Sequence, residues 1–265
     1  MTQFPKEFEK IVESIKTMEI RGAGEIARSA AEALLLVAES SKAKAVNGFV
    51  DDMDRAARTL LRTRPTAVSL PNGVRYVMKR VLDAKSSGLK IDELRNATID
   101  AAKKFIENSK DAVKKISEIG SKRIQDGDVL LTHCNSTAAL SIILRAWEDG
   151  KRIKVFATET RPLFQGRITA KILDRAGIPV TLIVDSAVRY FMPKIDKVVV
   201  GADAVAANGA VVNKIGTSMV ALAAHEARVL FFVAAETYKF SPETMLGELV
   251  LIEERDVAEV VPADV

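Results

Sequence analysis

The residues of this chain that could do chemistry gather after short apolar runs. The sharpest is Cys134, the single cysteine among 265 residues, in Val129-Leu130-Leu131-Thr132-His133-Cys134-Asn135-Ser136-Thr137-Ala138. The apolar run reads as a short buried strand, and Ala138-Ala139-Leu140-Ser141-Ile142-Ile143-Leu144 as a helix entered through a polar turn. Such a junction exposes backbone N–H groups and favours negative charge, whether a phosphate or a thiolate. The polar neighbours of Cys134 argue against a dry core position. The expectation is a thiol of lowered pKa, able to serve as base or nucleophile.

Asp203 ends the apolar run Val198-Val199-Val200-Gly201-Ala202, and two readings stand level. One is a turn or helix-cap carboxylate. The other is a carboxyl group whose burial keeps it protonated as an acid at neutral pH. Asn213-Lys214-Ile215-Gly216-Thr217 precedes an Ala-rich helix and offers an amide and an amine to a phosphate or hydroxyl. Lys239, after Glu236-Thr237-Tyr238, offers a second amine; for both lysines the alternative is a solvated face. Arg21-Gly22-Ala23-Gly24 ahead of the helical run Glu25–Ser40 is either an anion-holding turn or a small-residue loop between close helices. The residues alone favour the loop.

The elements that must position these groups change character along the chain. Helical spacing runs through residues 6–19, 25–40, 51–63, 72–84 and 91–124, with Arg64-Pro65-Thr66 as a break. Beyond Gly127, β-branched runs at 129–132, 153–158, 180–184, 197–201 and 229–235 alternate with helical segments at 137–148, 166–176, 187–193 and 214–227. This alternation predicts a parallel sheet with helices on its faces, and Asn208-Gly209 predicts a hairpin turn. Ligands of such sheets sit at the carboxyl ends of the strands. His133-Cys134, Glu159-Thr160-Arg161, Asp185, Asp203 and Glu236–Lys239 would then share one rim.

Composition narrows the function classes. Hydrophobic residues at 48% and charged residues at 28% suit a soluble globular protein, and a net charge of +4 suits phosphorylated ligands or acidic partners. Both charge signs are interspersed, so nucleic acid is not indicated. A single cysteine makes no internal disulfide, the N-terminal residues carry no signal-peptide pattern, and no window approaches the ~18 apolar residues of a membrane span. A cytoplasmic protein is expected. No Gly-x-Gly-x-x-Gly follows a strand and no Gly-Lys-Ser/Thr loop occurs, which leaves a nucleotide cofactor unsupported. Two histidines and one cysteine, widely spaced, make no metal set, and there is no Gly-x-Ser-x-Gly elbow.

Taken together and in order, Arg21-Gly22-Ala23-Gly24, Arg64-Pro65-Thr66, His133-Cys134-Asn135-Ser136, Glu159-Thr160-Arg161-Pro162, Gln165-Gly166, Gly201-Ala202-Asp203, Asn213–Thr217 and Glu236–Phe240 carry a family likeness. The chain resembles the superfamily of sugar-1-phosphate isomerases and initiation factor 2B regulatory subunits, over nearly its whole length. The initiation-factor subunits typically lack the cysteine and the aspartate; this chain has both, and looks most like the archaeal ribose-1,5-bisphosphate isomerases. Methylthioribose-1-phosphate isomerases are the nearest enzymatic rivals.

The resemblance implies an α/β protein, with an all-α N-terminal domain over 1–122 and a Rossmann-like domain with a mostly parallel sheet over 123–265. It implies a homodimer assembling to a hexamer, a phosphorylated sugar substrate, and no cofactor, metal, membrane or nucleic acid partner. The implied reaction is ribose 1,5-bisphosphate to ribulose 1,5-bisphosphate in archaeal AMP salvage. Asp203 would protonate the ring oxygen, and Cys134 as thiolate would remove the C2 proton to give a phosphoenolate. Arg21, Gly22, Ala23, Gly24, Arg64, Ser136, Thr137, Ala138, Asn213, Lys214 and Lys239 match the family's ligand-binding positions; two phosphates need that many cations and N–H donors. The alternative is a regulatory subunit that binds a translation initiation factor. The family pattern continues with a segment bearing Asn-Pro and an Asp-x-Thr-Pro-like motif, not found in these residues, which bears on oligomer packing and site closure.

Overall fold

The computed structural model describes residues 4–64 and 66–261. Five helices come first: α1 (Lys6–Lys16), α2 (Ala23–Ser40), α3 (Val46–Leu61), α4 (Ser69–Ser86) and α5 (Ile91–Ser121). Each buries one stripe. In α2 that stripe is Ile26, Ala27, Ala30, Ala31, Leu34, Val37 and Ala38, mostly small residues of high helix propensity. Three of these helices begin earlier than the apolar periodicity suggests. Helix α4 starts at Ser69 instead of 72, because Pro71 falls in the first turn, where a missing N–H breaks no intrahelical bond. Their shared core includes Phe8, Ile15, Phe49, Met53, Leu60, Leu70 and Leu94, all fully buried.

The strands and helices then alternate: β1 (Val129–Thr132), α6 (Thr137–Glu148), β2 (Lys154–Thr158), α7 (Gln165–Arg175), β3 (Val180–Ile183), α8 (Val188–Phe191) and β4 (Lys197–Val200). Short 3-10 turns at Asp185–Ala187 and Met192–Lys194 flank α8. The chain continues through β5 (Ala204–Val205) and β6 (Val211–Val212) to α9 (Thr217–Ala227) and β7 (Leu230–Val233). Strands β5 and β6 pair antiparallel around Asn208-Gly209, as the turn signal predicts. The remaining five form one parallel sheet in the order β3-β2-β1-β4-β7.

By packing, the described residues fall into two compact units. One takes in the chain up to Asp111 with Ala206–Asn208 and Thr237–Val250, so segments late in the sequence pack with the helices. The other holds Ala112–Val205, Gly209–Glu236 and the chain from Leu251. Within the second, the sheet order reverses direction between β1 and β4, which pair through Leu130 with Lys197 and Leu131 with Val198. Central strands of a parallel sheet are covered on both faces, which is why β1 and β4 are nearly continuous apolar runs. No helix among the described residues is long and apolar enough to cross a membrane.

At the amino end of these central strands, Lys197 Nζ lies 2.7 and 2.5 Å from the two oxygens of Asp128, and Asp128 also accepts the Gln125 N–H at 2.6 Å. Both charged residues are buried. Removing one partner strands the other charge in a dry site. Lys197→Met should therefore cost about 3–5 kcal/mol in denaturant unfolding, and Lys197→Met with Asp128→Leu should recover much of that loss.

Candidate active site

Strand β1 delivers its last residues to the switch point of the sheet, and the turn there is held on all sides. His133 is 1% exposed, and Cys134 is half-buried with a left-handed backbone at φ 70°. That conformation is costly for a residue with a Cβ, and persists only where surrounding bonds enforce it. The Cys134 N–H donates to Thr160 Oγ1 at 2.9 Å, and its carbonyl accepts from Thr169 Oγ1 at 2.8 Å. Ser136 caps α6, its Oγ accepting the Ala139 N–H at 3.3 Å. The first-turn amides of Thr137 and Ala138 have no intrahelical acceptor, as at every helix start.

Next to this turn β4 ends at Val200. A Cβ on Gly201 would meet Ser136 Oγ at 2.2 Å, so glycine is what lets the end of β4 approach the cap of α6. Asp203 follows, its N–H donating to the Val212 carbonyl at 2.9 Å. Asp203 is exposed in this structure. The apolar run stops at Ala202, which is buried, and the carboxylate lies one residue beyond.

Lys214 and Asn213 sit in a turn tied to the start of α9. The Thr217 N–H and Oγ1 both donate to the Lys214 carbonyl, at 3.1 and 2.7 Å, and Asn213 Nδ2 donates to Thr217 Oγ1 at 3.1 Å. The second unit therefore carries Cys134, Asp203, Ser136, Thr137, Ala138, Asn213 and Lys214 at one end of the sheet. The charges act on the thiol in opposite senses. Burial pushes the Cys134 thiol up; the Asn135 amide and the Lys214 ammonium pull it down, while Asp203 and Asp185 push it up further. Burial wins. The expectation of a lowered thiol pKa from the helix start alone is thus corrected, because desolvation by the packed turn outweighs the nearby N–H groups and cation.

The helical unit carries the other residues expected to bind a ligand. Gly22 is the N-cap residue of α2, so Ala23 and Gly24 lie inside its first turn, not in a loop ahead of it. Arg21 is exposed, its Nε donating to the Met18 carbonyl at 2.7 Å. Arg64 is half-buried beyond the end of α3; Pro65 of the same motif lies outside the described residues. Lys239 is buried, which excludes the solvated-face reading. Its 3-10 turn (Thr237–Lys239) is pinned by Asn72 of α4, whose Nδ2 donates to the Tyr238 and Phe240 carbonyls at 2.8 and 2.7 Å. The Tyr238 ring packs tilted against Phe105, centroids 5.6 Å apart, and its hydroxyl meets Ser109 at 3.0 Å.

Sequence reasoning missed Asn72, Thr158, Thr169 and the part played by His133. An amide in the first turn of α4, a threonine at the end of β2 and another in α7 were the available signals, but their partners are far away in the chain. No group of three or more His, Cys, Asp or Glu among the described residues could hold a metal ion.

The fold and the switch-point residues define a class: a Rossmann-like α/β sheet, with a helical N-terminal part, carrying a thiol and a carboxylate after adjacent central strands. The chain belongs to the Initiation factor 2 subunit family, which matches residues 19–265. It is 60% identical over 259 residues to the ribose 1,5-bisphosphate isomerase of Thermococcus kodakarensis, covering 98% of this chain and 80% of that protein. It is 57% identical to the ribose 1,5-bisphosphate isomerase of Pyrococcus furiosus, with the same coverage. Among solved structures, the translation initiation factor eIF-2B of Pyrococcus horikoshii OT3 superposes with a TM-score of 0.79 at 33% identity, over 90% of this chain and 82% of that one.

The raised thiol has a direct consequence for reactivity. A raised acid pKa means the neutral thiol persists to higher pH than in an exposed cysteine. Alkylation of Cys134 by iodoacetamide should therefore still be accelerating at a pH where a model thiol has levelled off. A profile that levels below the model thiol would contradict the burial argument.

Proposed function

We propose that this chain is an aldose–ketose isomerase that converts ribose 1,5-bisphosphate to ribulose 1,5-bisphosphate in an archaeal route of AMP salvage. The observation that carries the reading is the pairing of β1 with β4, which puts Cys134 and Asp203 after neighbouring strands at the switch point. The identity to the Thermococcus and Pyrococcus isomerases supports the same choice of substrate.

In this reading the Asp203 carboxyl gives its proton to the ring oxygen and the furanose opens. The Cys134 thiolate takes the C2 proton, and the electrons of that bond leave a C1=C2 enol that keeps its C1 phosphate and its C2 hydroxyl. The C2 hydroxyl proton passes to Asp203, and the thiol returns a proton to C1, so both residues end as they began. Substrate must cover the Asp203 carboxyl, because burial is what favours the protonated acid. The bound intermediate must also be kept dry, because a phosphoenolate can lose its phosphate. Lys214, Asn213 and the α6 start are the phosphate ligands in one unit; Arg21, the Gly22–Gly24 amides, Arg64 and Lys239 are those in the other.

Cys134→Ser and Asp203→Asn should each lower turnover on the order of 10²–10⁴-fold with an unchanged circular dichroism spectrum. Methylthioribose 1-phosphate, assayed alongside, should turn over poorly, because its thioether has no use for cations at the 5-position. Full turnover of ribose 1,5-bisphosphate by both variants would sink the reading. The second reading, a subunit that binds a translation initiation factor, is favoured by the superposition with the Pyrococcus horikoshii protein. It predicts capture of an initiation-factor subunit and no isomerase activity on either sugar phosphate.

We read the assembly as a homodimer building a hexamer. Support comes from the exposed apolar residues Met219 and Leu222 on α9, and Leu230 and Val233 on the edge strand β7. Light scattering should find an oligomer, and a stable monomer at micromolar concentration would overturn this part.

A further inference from the structure

Behind Cys134 lies a set of buried polar side chains that the proposed reaction does not use. His133 Nε2 is 2.7 Å from the Ile215 carbonyl, and His133 Nδ1 is 2.6 Å from Thr158 Oγ1. Thr158 Oγ1 is 3.1 Å from Thr160 Oγ1, which in turn accepts the Cys134 N–H at 2.9 Å. His133, Thr158 and Thr160 are each no more than 1% exposed.

The direction of these bonds is fixed by chemistry. A carbonyl only accepts, so His133 Nε2 carries the hydrogen. Burial holds the imidazole neutral, so Nδ1 is an acceptor and Thr158 donates to it. Thr158 Oγ1, its hydrogen committed, can only accept from Thr160, whose one hydrogen is shared between that oxygen and the Thr158 carbonyl at 3.3 Å, and Thr160 Oγ1 accepts from Cys134. The line of donors thus runs one way, from the Cys134 backbone to the Ile215 carbonyl. Ile215 follows Lys214 directly, and Gly216 has φ 98° with the imidazole pressed against it: a Cβ there would lie 2.9 Å from His133 Cε1.

We propose that His133 is a positioning residue, which with the Thr158 and Thr160 hydroxyls locks the turn bearing Lys214 to the loop bearing Cys134. The ammonium is thereby held beside the thiol it must help to ionise. The charged groups acting on that thiol are Lys214, Asp203 and Asp185. Asp185 is tied to the Thr160 and Arg161 N–H groups at 2.8 and 2.7 Å, and Asp203 to the Val212 carbonyl through its own N–H. Of the three, only Lys214 is carried by the turn that the imidazole holds; Asp185 stays on the Thr160 and Arg161 backbone N–H groups, which neither substitution removes, so loosening the relay acts chiefly on the cation.

The inference rests on Cys134 being the base, and its test reads the thiol without substrate. Because the chain has one cysteine, the pH dependence of its alkylation by iodoacetamide reports the titration of Cys134 alone. Thr158→Val keeps the shape and removes the hydroxyl; His133→Phe keeps a ring and removes both nitrogens; Thr158→Ser restores the hydroxyl. In Thr158→Val and His133→Phe the titration should move to higher pH. The kcat on ribose 1,5-bisphosphate should fall about ten- to a hundredfold with KM little changed. Thr158→Ser should return both readouts toward the parent. His133→Phe is the harsher change, and Thr158→Val decides the matter if that protein does not fold. Titrations like the parent's in the folded variants, or a Thr158→Ser protein no better than Thr158→Val, would overturn the relay. A parent protein inactive on the bisphosphate would overturn the isomerase reading instead, and the titrations would still judge the relay.

Discussion

The parallel pairing of β1 with β4 is the constraint on which the chemistry of the sheet-bearing unit depends. It sets two strand ends side by side where the sheet changes direction, the crevice that open α/β sheets leave for a ligand. The register is enforced from the opposite end, where Lys197 and Asp128 neutralise each other in a buried pair. A slip of one residue would turn the valines of β4 to the wrong faces and separate that pair. Gly201 then permits the close approach that the pairing demands. An apolar sheet, a buried ion pair and one missing side chain together place a thiol and a carboxylate as neighbours.

Much of this was legible in the residue pattern. The five strand runs and the helices between them were read from apolar periodicity, because burial on both faces imposes nearly unbroken apolar stretches on parallel strands. The strand–turn–helix around Cys134 was read from polar residues between two apolar runs. The start of α4 was not, because Pro71 looks like a breaker unless it is known to fall in a first turn. The direction of the thiol pKa was not legible either. It depends on how tightly Thr160 and Thr169, contributed by later segments, close over the turn. Lys239 was ambiguous for a similar reason: the amide of Asn72 that pins its turn belongs to a helix far back in the chain.

The two units supply different kinds of cation. Lys214 is half-buried in a short turn closed by its own carbonyl, and its ammonium acts on the proton equilibrium of Cys134. Arg21 is exposed, and its Nε is already engaged with the Met18 carbonyl, so what it offers an anion is the far side of a guanidinium fork. Lys239 is a compact point charge buried in a pinned turn. Residues of the same charge thus differ in burial and in what already engages them, and of the three only Lys214 acts on the Cys134 thiol.

The raised thiol also bears on chemical durability. It is the thiolate that attacks peroxides and disulfides, and a cysteine kept protonated in the free protein presents little of it. Burial that makes Cys134 a reluctant acid therefore also shelters it from oxidation to sulfenic acid. With no second cysteine in the chain to resolve such an oxidised group as an internal disulfide, that shelter is the sulfur's built-in safeguard.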